Sequence, residues 1–267
     1  MKKVDCTHIS KELLEHVKKF LASNNLTPQL AIVQIGEDDE VCSNTKSLEN
    51  KCHACGIDVI IEHLSKDSTK NNLMSYVEKL NNDSNIDGIL FSFSPTLCSI
   101  VDHNLIAPEK DVYGYGLRSR YTSTFTSIIS HILSLNGIDL SSKNVVVDSC
   151  DTLQEKSIHE LVMKTFKNIS FFDTELLDED MLKSKFENAD IIISLINKPN
   201  YIKWCKDNVI AFDYSKIVSI NDQTESNFDD SIKEKIGLYA CVDGGLYDLA
   251  LTEICVNIAK AAFVFRN

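Results

Sequence analysis

Glycine and proline are scarce in this chain, with 9 and 4 among 267 residues, where ordinary usage of about 7% glycine would give roughly 19. The shortage is uneven. Gly36, Gly56, Gly88, Gly114, Gly116 and Gly137 punctuate the first part, Gly237, Gly244 and Gly245 the last, and residues 138–236 contain none. Long apolar runs are also missing: none approaches the 18 or so residues a membrane-spanning helix needs. The basic start, MKKVDCTHISKELLEHV, has no apolar stretch behind it to act as a secretion signal. Positive charge is in deficit too, with 27 Lys and Arg against 39 Asp and Glu, a net charge of −12. A protein that tracks a phosphate backbone offers a cationic face. These shortages predict a cytoplasmic protein with neither a membrane nor a nucleic-acid partner.

What is present is ordinary globular material, 43% apolar, enough for one large or two small domains. The nine cysteines are an odd number spread from Cys6 to Cys255, which without a secretion signal predicts reduced thiols. Cys52 and Cys55 form a lone CxxC around His53. A zinc site needs about four ligands, and redox CxxC motifs open a helix after a strand. This pair lies near the end of a helical stretch, so it reads as core or surface thiols, with no metal.

Apolar positions Leu13, Leu14, Val17, Phe20 and Leu21 recur at helical spacing. LAIVQIG (Leu30 to Gly36) follows as a short β-branched run closed by glycine, the mark of a buried strand. The alternation continues with a helix over Asp39–Cys55, a strand over Val59–Leu64, a helix over Asn71–Leu80 and a strand over Gly88–Phe93. Beyond a helix at Thr122–Leu135 come strands at Asn144–Val147, Ile169–Phe172, Ile191–Ile196 and Val209–Phe212, separated by helical stretches, and a last helix at Leu249–Phe263. Repeated βαβ units imply parallel sheets covered by helices. The chain therefore reads as α/β with two domains. The polar, twice glycine-broken stretch GYGLRSRYTST marks the boundary, with net charge −4 before residue 121 and −8 after it.

Several segments together resemble the methylenetetrahydrofolate dehydrogenase/cyclohydrolase family, the bifunctional enzymes of one-carbon folate metabolism. They are LAIVQIGED, the CGI at Cys55–Ile57, NNDSNIDGIL, APEKDVYG (Ala107 to Gly114), NGIDLSSKNVVV, ENADIIISLINKP and VDGG near the end. They stand in the family's order over almost the whole chain, and APEKDV-x-G with the upstream DGIL is the most specific. The resemblance implies a folate-type catalytic α/β domain, residues 1–120 completed by the C-terminal helix at 249–267. It also implies a Rossmann-like, NAD(P)-binding type of domain over 121–248. Folate or another small molecule would lie in the cleft between them, and the family's dimer would form through the second domain.

At the family's functional positions this sequence departs. Active members carry a tyrosine and, four residues on, a lysine on the helix after the first strand, a spacing that puts both on one face. An ungapped count from Gly36 to Ile57 places Asn44 and Leu48 there. Leucine has no proton to exchange, and a positioned acid/base is worth about 10²- to 10⁴-fold in rate. Lys46 lies about 200° around the helix from Leu48, which leaves Lys51, three residues on, as the possible substitute. The family's active-site glutamine falls in Ser92-Phe93-Ser94-Pro95, at Ser92, and the aspartate that holds the pterin is Tyr113. A phenol cannot accept two hydrogen bonds from an aminopyrimidine edge as a carboxylate does.

The phosphate loop of the second domain, Gly-Arg-Ser-x-x-Val-Gly-x-Pro in the family, aligns with Asp148, Ser149, Cys150, Asp151, Thr152, Leu153, Gln154, Glu155 and Lys156. Glycines there let backbone N–H groups approach phosphate at a helix N-terminus. Asp148, Asp151 and Glu155 would face or flank the phosphates instead, or cap the following helix. A carboxylate about 5 Å from a phosphate charge costs on the order of 3 kcal/mol at an effective dielectric near 20. The later His-Ser pair is Asp173-Thr174, with no arginine nearby, and the entry to the last helix survives only as Gly244 and Gly245 within VDGG.

These replacements imply a divergent, non-catalytic homologue that keeps the scaffold and the homodimer, with no resident cofactor. One alternative is an active folate enzyme, a dehydrogenase using NADP or NAD or a cyclohydrolase alone, working through Lys51. The other is a small-molecule-binding or regulatory partner of an active relative.

Overall fold

The structure is a computed structural model, and it describes residues 1–97, 100–139, 142–148, 168–196, 198–214, 226–241 and 244–266. Two compact units divide the chain. One comprises Met1–Ile9 with Ile128–Leu249, the other Ser10–Ser127 with Ala250–Asn267.

The second of these is built on three parallel strands in the order β3-β2-β4, where β2 is Gln29–Ile35, β3 Asp58–Leu64 and β4 Gly88–Phe93. Six of the seven β2 residues are buried, as expected of a central parallel strand covered on both faces. Helix α1 (Cys6–Ser23) precedes this sheet, α2 (Asp39–Cys55) crosses from β2 to β3, and α3 (Lys70–Asn82) from β3 to β4. Helix α2 ends at Gly56, whose φ of 89° is the left-handed conformation in which helices commonly stop. Ala31, Val33, Leu73, Val77, Ile89 and Phe91 form the core between sheet and α3.

The other unit carries a six-stranded parallel sheet in the order β1-β9-β8-β7-β5-β6. Its strands are β1 (Lys2–Lys3), β5 (Val145–Asp148), β6 (Ile169–Phe172), β7 (Ile191–Ser194), β8 (Val209–Asp213) and β9 (Ile236–Cys241). Helices α4 (Thr124–Leu135), α5 (Glu179–Glu187) and α6 (Leu246–Arg266) complete the described elements. Phe186, Ile202, Phe228, Ile232 and Tyr239 are buried on one side of the sheet, with Tyr201 and Trp204 packed against them.

The sequence reading finds the α/β class and places each shared element within a few residues. It misses β1 and β9. β9 carries Gly237, whose absent side chain leaves room for the backbone of Asn208, and β1 is two residues long, too short for any periodicity. Because β1 pairs with β9, the first nine residues cluster with the six-stranded sheet instead of with the residues that follow them.

Candidate functional site

In the three-stranded unit, Val41, Thr45, Leu48, Cys52 and Cys55 are the buried stripe of α2. Leu48 is 3% exposed, so the side chain that the resemblance aligns with the family's lysine is part of the packed interior. Asn44, beside it, is half-buried. Thr45 Oγ1 donates to Ser92 Oγ at 2.8 Å, tying α2 to the C-terminal end of β4. Lys46 is turned outward and paired with Glu49. Lys51 is half-buried; the Cys255 thiol of α6 is pushed well up, chiefly by its hydrogen bond with Cys52, and the Lys51 charge opposes that shift only weakly.

Tyr113 follows a tight turn organised by Asp111. That carboxylate is 1% exposed and accepts from Gly116 N at 2.7 Å and Gly114 N at 3.2 Å. Gly114 has φ 77°, and a Cβ there would lie 2.7 Å from Ser123 backbone atoms, so both the conformation and the close approach require glycine. The APEKDVYG segment thus has a structural basis in its aspartate and glycine. Burial raises the Asp111 carboxyl above the ordinary range, against the pull of its N–H donors.

The turn delivers Tyr113 into a set of aromatic rings. Its centroid is 4.1 Å from that of Tyr115 and 6.5 Å from that of His103. His103 in turn lies 5.4 Å from Phe91, 6.3 Å from Phe93 and 5.2 Å from Tyr115. Desolvation raises the Tyr113 hydroxyl and lowers His103 to about 4, with Asp102 opposing the second shift. His103 is therefore a neutral imidazole at physiological pH, and its Nδ1 has no hydrogen-bond partner among the described residues. Sequence reasoning singles out Tyr113 and Phe93 but misses His103 and Tyr115. The Tyr-x-Tyr repeat flanking Gly114 was the available signal.

The CxxC reading is sharpened. Cys52 and Cys55 are buried, Cys52 Sγ lies 3.9 Å from Cys255 Sγ, and Cys55 donates to the Cys52 carbonyl at 3.2 Å. Hydrogen bonding with Cys255, and then burial, push the Cys55 thiol up. Among the described residues no group of His, Cys, Asp or Glu is arranged to hold a metal ion.

In the six-stranded unit, Asp148 ends β5. Residues 149–156 of the aligned phosphate loop, Ser149, Cys150, Asp151, Gln154 and Glu155 among them, lie outside the described residues. Asp148 itself is fully buried and accepts from Leu195 N at 2.9 Å through Oδ1. It therefore takes its donor from the chain beyond the neighbouring strand β7. Burial raises its carboxyl well above the usual range, and the charge of Asp213 adds to the shift. A buried carboxylate at the end of β5 offers an acceptor and not the N–H donors that bind a phosphate.

Asp173 follows β6 and accepts from Glu175 N at 2.8 Å, an ordinary turn bond, while Thr174 is buried. Gly244 and Gly245 pack on the N-terminal segment. A Cβ on Gly244 would lie 2.8 Å from Val4 O, and one on Gly245, at φ 87°, would lie 2.6 Å from Thr7 N. Close packing accounts for both glycines without a ligand.

Residues 4–113 match the family profile described as tetrahydrofolate dehydrogenase/cyclohydrolase, catalytic domain. Along 95% of its length the chain is 26% identical to the bifunctional protein FolD of Staphylococcus aureus, covering 93% of that protein. It is 25% identical to the FolD of Clostridium botulinum over 91% of its length and 90% of that protein. Among solved structures it is similar to the bifunctional FolD enzyme of Campylobacter jejuni, with a TM-score of 0.83, 21% identity and 99% of each chain covered. It is also similar to the Trypanosoma brucei methylenetetrahydrofolate dehydrogenase-cyclohydrolase complexed with NADP and an inhibitor, with a TM-score of 0.80, 15% identity and coverage of 98% and 97%.

Proposed function

The chain belongs to the tetrahydrofolate dehydrogenase/cyclohydrolase family as a divergent member, and from that premise we propose that it keeps the family scaffold without the dehydrogenase reaction. The observation that carries this reading is the side chain of Leu48. It stands where active members hold their lysine, lies in the buried stripe of α2, and can neither give nor take a proton. Two further features support it. Tyr113 occupies the position of the pterin-holding aspartate and lies tilted against Tyr115 beside His103, so that the rings fill space with apolar surface in place of a carboxylate acceptor. Asp148 puts a buried carboxyl where a nicotinamide dinucleotide would need donors.

On this reading the functional halves are residues 1–120 with 249–267, of folate type, and 121–248, of cofactor type. The chain acts as a cytoplasmic homodimer that gives the family's shape, and any folate it binds, to a role other than turnover. No described helix is long and apolar enough to cross a membrane.

The deciding experiment assays the purified chain for NADP- and NAD-dependent oxidation of methylenetetrahydrofolate and for hydrolysis of methenyltetrahydrofolate, beside an active relative. Rates at the uncatalysed level are expected in both assays. Turnover abolished by Lys51→Met or Ser92→Ala would overturn the reading and restore the active-enzyme alternative.

A further inference from the structure

Helix α6 touches both segments that shape the candidate site of the three-stranded unit. Asn257 Nδ2 donates to Val112 O at 2.9 Å, at the turn that carries Tyr113. Two residues earlier, Cys255 meets α2, the helix that carries Asn44 and Leu48. Asn257 and Cys255 are both buried, and they belong to the same compact unit as α2.

The contact with α2 is made by sulfur. Cys255 Sγ lies 3.9 Å from Cys52 Sγ and is also hydrogen-bonded to the Cys55 thiol. Three free, buried thiols from two helices therefore meet around Cys255, which is the one contributed by α6. Packing alone would be met by any small apolar side chain, since a buried cysteine behaves as one. What these residues add is the capacity to form a bond between helices. A disulfide is about 2.05 Å long, so the Cys52 and Cys255 sulfurs have about 2 Å to close, a distance covered by rotation about the two χ1 bonds.

We propose that Cys52 and Cys255 are a peroxide-responsive pair whose disulfide locks α6 to α2, with Cys55 left as a thiol. One sulfur, as thiolate, attacks hydrogen peroxide; the O–O bond breaks, an S–O bond forms, and the departing hydroxide takes up the thiol proton as water, leaving a sulfenic acid. The facing thiol then attacks that sulfur, the S–O bond breaks as S–S forms, and a second water leaves. Two thiols lose two electrons in all, and one peroxide is reduced to two waters.

Hydrogen bonding within the cluster, and then burial, hold the Cys55 and Cys255 thiols protonated. Thiolate is the attacking form, so the first step is slow. The second is fast, because the partner sulfur is already in place. The pair thus answers sustained oxidation and ignores a brief pulse. The bridge joins residues 203 apart in sequence, a span over which a cross-link strongly restricts the unfolded chain. It also fixes α6 and, through Asn257, the turn behind Tyr113, whether or not the chain turns over folate.

The test exposes the folded full chain to hydrogen peroxide for hours beyond the oxidation of the partly exposed Cys42. Remaining thiols are then blocked with N-ethylmaleimide in denaturant and the peptides mapped by mass spectrometry. The expected product is a Cys52–Cys255 linked pair, two hydrogens lighter than the free peptides, with Cys55 carrying the label. The melting temperature should rise by at least about 5 °C and fall back with dithiothreitol. That rise should persist in Cys55→Ala and vanish in Cys255→Ala; if either variant does not fold, the linked peptide of the parent chain decides. Labelled Cys52 and Cys255 after this exposure, Cys255 sulfinic acid without a link, or a link made through Cys55 instead overturns the proposal. So does a Cys52–Cys255 link that forms only in urea, or one that leaves the melting temperature unchanged.

Discussion

Arg266 holds Asp87 with two edges of its guanidinium, Nε to Oδ1 at 2.8 Å and Nη2 to Oδ2 at 2.5 Å. The carboxylate is 4% exposed and also accepts from Gln29 N at 2.7 Å, while Arg266 reaches the carbonyls of Thr27 and Asn85. The end of α6 is thereby fastened to the residues that open β2 and β4. Paired forks of this kind are among the stronger charge-assisted bonds. Arg266→Ala, which leaves a buried carboxylate with one donor, is expected to lower unfolding free energy by about 1–3 kcal/mol, read by urea denaturation. Arg266→Lys should recover only part, since a point charge cannot form the fork. An alanine variant as stable as the parent would show the clamp to be idle.

Leu48→Lys puts an ammonium into a position packed for an apolar side chain, and tests the proposed alignment of Leu48 with the family's lysine. A buried, unpaired ammonium is expected to cost at least about 3 kcal/mol, whereas Leu48→Met, close to it in volume, should cost less than about 1.5 kcal/mol. Thermal melts of the two variants check this, with the folate assays run in parallel. A stable, catalytically competent Leu48→Lys would mean that a single substitution separates this chain from an enzyme.

His103 predicts a specific acid sensitivity. Its ordinary pKa of 6.5 falls to about 4 in the folded chain because the surrounding rings strip its water. The folded state therefore binds fewer protons than the unfolded state between these values. Its contribution to stability is complete above about 6.5 and is lost as pH drops toward about 4, by roughly 3 kcal/mol in all. His103→Phe, which retains a ring among Phe91, Phe93 and Tyr115, should remove that part of the pH dependence. The difference between the two stability profiles isolates it, and parallel profiles would show that His103 is hydrated in solution.

Cys6, Cys52, Cys55 and Cys255 are buried, and burial pushes Cys6 up to about 12. Thiolate is the reactive form, so alkylation of the native protein should be slow at these four positions and faster at the partly exposed Cys42. Peptide mapping after brief iodoacetamide treatment reads the order. Early modification of Cys52 or Cys255 would show that α6 opens readily from α2.

Much of the scaffold is legible from residue order because parallel strands hold uninterrupted apolar runs such as Leu30–Val33 and Ile191–Ile193. The pattern fades where polar residues close a strand. The readings end β5 at Val147 and β8 at Phe212, so that Asp148 enters only as the first residue of the aligned phosphate loop and Asp213 is not singled out at all. Local sequence shows a carboxylate after an apolar run as a strand ending. Only the pairing of Asp148 with Ser194 and of Ser194 with Asp213 shows that three such endings form one row. The aromatic set has the same character, since Phe91, His103 and Tyr113 come from separate segments and meet through tertiary packing alone.

The packing of Trp204 against the six-stranded unit's core gives the chain a built-in optical label. It is the only tryptophan, so selectively excited emission reports the unfolding of that unit and is silent about the other. The near-ultraviolet dichroism of the closely spaced, mutually tilted Tyr113 and Tyr115 rings is a tyrosine signal belonging to the three-stranded unit. A denaturation curve followed by both signals would separate two transitions, or superimpose them, within a single sample and without any added dye.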